Sequence, residues 1–310
     1  MALAARRFFL EDRSKVEIGH ELGLSRFKVA RLIEQARATG VVTITVHDSG
    51  TPVPELARQL RAHLGLADAV VVEAGARDDE VRSAVGAATA RILGETLHAD
   101  EVVGLAWGRT LAAMGASLPE LPRVAVVQLT GAAGVNLEDS PVEIVRQVAL
   151  RSGGSAYPIF APLVVEDAPM AVALRREPGV AAAFALFDRL TTAVVSVGSW
   201  DPPNSQLFSY FRPAERQHLR ERGVVAEVAA TLIADDGSCP APEMAERSVS
   251  IPGEQLRRVP RIIAAAGGAD KARAVRAAVL AELCTELVTD RSLAEAVLAL
   301  PPVAPSPEDP

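Results

Sequence analysis

Near the amino terminus apolar residues recur at Val16, Ile18, Leu22 and Leu24, and then in a fresh register at Phe27, Val29, Leu32 and Ile33. Each set follows the spacing of one helix face, so two consecutive helices are expected. Between them stands Gly23-Leu24-Ser25. Glycine takes the left-handed conformation that closes a helix, and serine caps the next one by accepting a backbone N–H. The second helix should run from Arg26 to about Ala38 and close at Gly40. Gly19 is small where the first helix would press on the second, and Val29 is apolar where the second would face back. This is the pattern of a helix-turn-helix; an ordinary helical hairpin is the plainer reading of the same spacing. The β-branched run VVTITV (41–46) predicts a strand, and HDSGTPVPEL (47–56), with its glycine and two prolines, predicts a connecting segment.

Beyond it the period changes. Apolar runs of strand length, ADAVVVEA (67–74), EVVGLAW (101–107), RVAVVQLTG (123–131), TTAVVSVGS (191–199), ATLIA (230–234), RIIAAAGG (261–268) and CTELVTD (284–290), alternate with helical stretches. The helices are expected from about 79 to 97, 141 to 152, 269 to 281 and 291 to 299. Such alternation implies an α/β domain whose mostly parallel sheet is covered on both faces, a doubly wound arrangement. The chain therefore reads as a DNA-binding head over 1–47, a linker over 48–56, a large α/β domain over 57–300 and a proline-rich tail over 301–310 expected to be disordered.

Charge sharpens the division. The formal net charge is −7, yet residues 1–47 carry eight Lys/Arg against five acids. The head is thus +3 and the remainder −10, a basic end on an acidic body, which suits an end that alone meets a polyanion. On the second helix Ser25, Arg26, Lys28 and Arg31 should be exposed and meet base edges and phosphates in a major groove, with Phe27 among the candidate DNA-binding residues. The longest apolar runs are far short of a membrane span. No secretion signal opens the sequence. Cys239 and Cys284 lack metal-ligand spacing and are expected as free thiols in a reducing cytoplasm.

In open α/β sheets ligands settle at the carboxyl ends of strands. Two loops there carry suitable chemistry. Gly108-Arg109-Thr110 follows one strand and opens a helix, offering backbone N–H groups, a hydroxyl and a guanidinium to a phosphate. Gly267-Gly268-Ala269-Asp270-Lys271 follows another, with glycines that permit close approach and a lysine charge. Either loop singly is what chain geometry alone would place at a strand–helix turn. Together in one sheet they point to a small anionic ligand of sugar-phosphate size.

The head FFLEDRSKVEIGHELGLSRFKVARLIEQARATGVVTI, followed in order by VGLAWGRTL, VVQLTGAAG, GVVAEVAATLIADDG, RIIAAAGGADKARAVRAAV and ELVTDRSLAEAVL, resembles the SorC-type (DeoR-like) sugar-responsive transcriptional regulators of bacteria over nearly the whole chain. The resemblance implies a winged-helix-like head on an effector domain similar to glucosamine-6-phosphate deaminase and ribose-5-phosphate isomerase. It also implies a homo-oligomer, dimer or tetramer, whose binding to double-stranded operator DNA changes with a sugar, polyol or sugar-phosphate effector, and no cofactor or metal. Matched residue by residue, Gly108, Arg109 and Thr110 form the first effector loop, and Gln128, Thr130 and Gly131 the second. Glu227 takes an acidic position expected to bind sugar hydroxyls, Gly267, Gly268 and Lys271 form the phosphate-side loop, and Asp290 ends the last strand. Two departures are visible. The second loop reads Gly-Ala-Ala-Gly where an adjacent glycine pair is expected, and Glu227 is one methylene longer than the aspartate of many members.

An enzyme on this scaffold would need a general base placed to move a sugar proton. The deaminases resembled here carry an Asp-x-His type cluster after the strand corresponding to VVSVGS; here the chain continues Trp200-Asp201-Pro202-Pro203. His63, His98 and His218 fall in helical stretches, as surface or packing residues. A DNA-binding protein whose second domain only oligomerises stays open on the residues alone, and it would show no ligand-dependent stabilisation.

Overall fold

The computed structural model describes residues 1–11, 13–42, 50–132 and 140–303. The chain divides into two compact units, 1–47 and 48–310.

The first unit has three helices: α1 (Ala2–Phe9), α2 (Lys15–Leu22) and α3 (Arg26–Ala38). Local chemistry sets each boundary. Ser14 and Glu17 form a reciprocal cap at the start of α2, with Ser14 N–H donating to the Glu17 carboxylate at 2.8 Å and Glu17 N–H to the Ser14 hydroxyl at 3.3 Å. Gly23 closes α2 at φ +62°, and the Ser25 hydroxyl accepts the Lys28 N–H to open α3. A Cβ on Gly19 would lie 2.7 Å from the Leu24 carbonyl oxygen, so only glycine lets the turn pack this tightly. Ala4, Ile18, Val29 and Ile33 close the small core. The sequence pattern had no place for α1, which supplies Ala4 and packs Phe8 and Phe9 against that core. Two pattern positions are not core: Val16 and Phe27 are 55% and 70% exposed. With α1 covering the open side, Ile18, Val29 and Ile33 suffice, and the first turns of α2 and α3 face water. Of the strand expected over 41–46, residues 43–46 lie outside the described residues.

The second unit begins with α4 (Pro54–Leu64), then β1 (Asp68–Val72), α5 (Asp78–Thr96), β2 (Val102–Leu105), α6 (Arg109–Ala116), β3 (Ala125–Gln128), α7 (Pro141–Ser152) and β4 (Ala156–Tyr157). Helices α8 (Ala168–Arg176) and α9 (Pro178–Phe184) lead to β5 (Thr192–Ser199). Then come α10 (Gln206–Tyr210), α11 (Pro213–Glu221), β6 (Val224–Val228), β7 (Thr231–Ala234), α12 (Pro242–Glu246), α13 (Gly253–Leu256) and β8 (Arg261–Ala265). A 3₁₀ turn (Ala269–Lys271), α14 (Ala272–Leu280), β9 (Glu286–Asp290) and α15 (Arg291–Leu298) end the order.

Seven strands pair in the order β1-β9-β8-β5-β2-β3-β4, every pair parallel. Successive strand residues point to opposite faces, so the unbroken burial of β2 means that both faces are covered. β6 pairs antiparallel with the end of β5, and β7 with β6, so a hairpin extends the sheet beyond the carboxyl end of β5. Among the described residues the antiparallel strand pairing lies in this hairpin and its junction with β5, and alternation alone does not reveal it. From β2 the chain builds outward through β3 and β4; from β5 it builds the other way through β8 and β9. β2 and β5 are neighbours, so the topological switch point lies between them.

The expected linker and tail need correction. Val53 N–H donates to the Val71 carbonyl, Glu73 N–H to that of Thr51, and Pro54 opens α4, so residues 50–56 belong to the α/β unit. Val303 N–H donates to the His63 carbonyl and Arg276 Nε to that of Pro301, which fixes 301–303 against the body. Residues 304–310 lie outside the described residues. Among the described residues no helix is long and apolar enough to cross a membrane.

Candidate functional site

A solvent-open cleft, whose atom-free space counted out into bulk solvent is about 690 Å³, lies beyond the carboxyl ends of β2, β5 and β8, beside the switch point. After β2, Ala106 and Trp107 stay buried, and Gly108 takes φ +141°. A Cβ there would sit 2.5 Å from Ser196 Oγ, which itself donates to the Trp107 carbonyl at 2.7 Å. The close approach of β5 therefore requires this glycine, and it aims the start of α6, with Arg109 and Thr110, into the cleft.

β5 supplies Ser196, Val197 and Gly198. Gly198 pairs with Glu227 across the β5–β6 ladder, and a Cβ on it would lie 2.6 Å from Glu227 Oε1. That carboxyl is buried but not bare: Ser205 Oγ donates to Oε1 at 3.0 Å and Ala230 N–H to Oε2 at 3.3 Å. Burial raises its pKa above the ordinary carboxylate value, against the lowering effect of these two donors and of Lys271. After β8 come Gly267, Gly268 and Lys271. The Lys271 ammonium donates to the Val197 carbonyl at 2.9 Å. Burial first, and the Arg109 charge second, lower its pKa to about 8, with Glu227 pulling the other way. Arg82 of α5 adds a third cation on the same cleft; it meets Asp78 at 3.8 Å.

The structure thus brings together Gly108, Arg109, Thr110, Glu227, Gly267, Gly268 and Lys271 from the candidate residues. It does not bring Gln128, Thr130, Gly131 or Asp290 to the lining. The Gln128 amide is spent inside the protein, donating to the carbonyls of Thr130 and Ile159 and accepting from Ile159 N–H. Thr130 is buried and bridges Ser250, while Gly131 N–H donates to the Val249 carbonyl. Asp290 caps α15 through Ser292 and accepts the Gly268 N–H at 2.8 Å, so it holds the glycine loop from behind. Ala133 and Gly134 of the second loop lie outside the described residues.

Several lining residues had not been singled out in the sequence. Asn204, Ser205 and Gln206 come from the segment before α10, and Asn204 accepts from Arg109 Nη2 through its backbone carbonyl at 3.0 Å and its Oδ1 at 3.2 Å. A glycine inside the apolar run of β5 was the available signal, since it marks close approach of another segment. Asp78 and Arg82 carry no such mark; they sit in the first two turns of α5, where charged residues are commonplace. None of His63, His98 and His218 lines the cleft, and His98 lies past the end of α5 rather than within it. Among the described residues no group of three or more His, Cys, Asp or Glu is placed to hold a metal ion.

In the first unit Ser25, Arg26, Phe27, Lys28 and Arg31 are all exposed on α3. The Arg26 guanidinium lies over the Phe27 ring, 4.9 Å from its centroid.

Residues 51–299 match the family described as "Putative sugar-binding domain". A transcriptional regulator of Escherichia coli K12, YjhU, is 27% identical over 301 residues, covering 94% of this chain and 92% of the relative. The sorbitol operon regulator of Klebsiella pneumoniae is 25% identical, with 95% and 96% covered, and the erythritol catabolism regulatory protein EryD of Brucella abortus is 26% identical, with 96% of each covered. The crystal structure of the full-length Klebsiella sorbitol operon regulator SorC superposes with a TM-score of 0.74 at 23% identity, over 96% of this chain and 97% of that one, which shows a shared fold. The chain belongs to the SorC-type family of sugar-binding transcriptional regulators.

Proposed function

We propose that α3 enters the major groove of operator DNA and that the cleft binds the sugar, polyol or sugar-phosphate effector that controls this binding. The observation that carries the effector half is the polarity of the cleft. Arg82, Arg109, Thr110 and Lys271 furnish cations and donors around the opening turn of α6, while the buried Glu227 carboxyl faces the same space. Such a pairing suits a ligand with an anionic or strongly accepting end and a hydroxyl-bearing end. Gly108, Gly267 and Gly268 bring backbone close to it, and Asp290 acts as a positioning residue behind the loop. For the DNA half, the capped start of α3 carries Ser25, Arg26, Lys28 and Arg31 to solvent with no acid in its first turn. A single reading helix gives too little contact for a specific site, and symmetric readers span half-sites one helical turn apart. We therefore assign the assembly of a dimer or tetramer to residues 55–300; light scattering that finds a monomer at DNA-binding concentrations would refute it.

The test of effector binding is a thermal-shift screen of the full chain against sugars, polyols and their phosphates. A ligand at a hundred times its dissociation constant should add about 2.7 kcal/mol to stability. The shift should vanish in Lys271→Ala and Thr110→Ala, which should still bind operator DNA. Variants that keep the parent's response would place the effector elsewhere.

A further inference from the structure

We infer that Phe27 reads the methyl group of a thymine in the major groove, an inference that rests on the DNA-reading role just proposed for α3. The head does not use this ring in its own packing: the core is closed by Ala4, Ile18, Val29 and Ile33, and Phe27 is 70% exposed. The ring stands in the first turn of α3, next to the Ser25 cap, one helical turn before Arg31 and on the same face. Arg26 and Lys28 flank it in sequence, and Arg26 stacks on its face. An apolar ring set among three cations does not suit a purely apolar protein partner, which would have to desolvate those charges. It suits a surface that is polyanionic at its margins and apolar at one point. The major groove has that character: phosphates line it, and the thymine C5 methyl is the apolar group displayed on its base edges. Stacking by Arg26 also restricts the ring, so less freedom is lost when it docks.

The experiment uses the full chain and a pool of random duplexes. Sites are selected in parallel with the parent and with Phe27→Ala, whose fold should survive because the ring is exposed; hydrogen exchange of α1–α3 in the full chain checks this. The parent should recover a half-site with a fixed thymine that relaxes in the Phe27→Ala selection. Replacing that thymine by deoxyuridine removes only the methyl group. It should weaken parent binding roughly fourfold per half-site, the worth of one buried methylene-sized group, and leave Phe27→Ala binding unchanged. Equal parent affinity for the thymine and deoxyuridine duplexes would overturn the inference while leaving the DNA-reading role intact. So would a Phe27→Ala variant that binds DNA normally but changes its oligomeric state, which would make the ring a protein contact. Failure of the parent to enrich any sequence would remove the DNA-reading role and this inference with it.

Discussion

On the proposed reading of the cleft, the buried ammonium of Lys271 should make anion binding there depend on pH in a calculable way. Its pKa of about 8, against 10.5 for an ordinary lysine, comes from burial and from the Arg109 charge. About nine-tenths of the protein then carries the charged form at pH 7, and about one-tenth at pH 9. An anion that binds the charged form and restores its pKa should lose about tenfold in affinity across that range, or about 1.4 kcal/mol. Sulfate is the clean probe, because its charge is fixed there, whereas inorganic phosphate is still losing a proton just above neutral pH. Isothermal titration at pH 7, 8 and 9, in two buffers of different ionisation heat, reads both affinity and the proton taken up. Lys271→Met should bind sulfate weakly and without the pH dependence. Stability gives an independent check on the sign. The folded pKa lies below the unfolded one, so between about pH 8 and 10.5 the unfolded chain holds the extra proton. This group's contribution to stability should therefore rise with pH through that window, in the parent and not in Lys271→Met. A sulfate affinity that stays flat from pH 7 to 9 would refute the assignment of Lys271 to the anion.

Two further substitutions separate positioning from contact. Gly19→Ala puts a Cβ 2.7 Å from the Leu24 carbonyl oxygen, so the α2–α3 turn must open; hydrogen exchange should show the head destabilised by about 1–3 kcal/mol with the sheet of the body unchanged. Asp290→Asn keeps the volume but turns one of its two acceptors, engaged by Gly268 N–H and by Ser292, into a donor. It should cost about 1–3 kcal/mol of stability and weaken sulfate binding. The pH profile set by Lys271 should persist, and its loss would mean that Asp290 touches the anion.

The head was legible in the sequence because its boundaries are local. Gly23, Ser25 and Gly19 each do something a few residues can specify, a left-handed turn, a cap and a close contact. Phe27 and Val16 misled, because helical spacing cannot say which apolar residues a third element will cover. In the body six of the seven parallel strands were legible from their unbroken apolar runs; the two-residue β4 was too short to register, ATLIA proved to be the antiparallel β7, and the linker was not legible. Its prolines read as a break, whereas Pro54 opens α4 and Pro52 bridges β1 at Val72. The Gly108 and Gly267 loops announced themselves as strand-end turns. Asn204 and Ser205 did not, because their place beside Arg109 and Glu227 depends on contacts 95 and 22 residues apart in sequence.

The distribution of buried polar groups separates scaffold from site. Gln128 and Asp290 have their oxygens and amide engaged by backbone groups, some two residues away and some, at Ile159 and Gly268, brought from other segments. Groups so committed have nothing to offer a ligand without breaking a buried bond, at a cost of about 1–3 kcal/mol each. The cleft residues are also hydrogen-bonded within the protein, Lys271 to the Val197 carbonyl and Glu227 by Ser205 and Ala230, but their charges are disfavoured where they stand. Lys271 sits in a field that disfavours its own charge, and Glu227 in one that disfavours its ionised form. An incoming anion reverses the first penalty, and a hydroxyl donating to the carboxylate relieves the second. On the proposed reading, charge that burial disfavours and a bound anion relieves would let a small ligand change the stability of the body, and through it the DNA binding that the body is proposed to control.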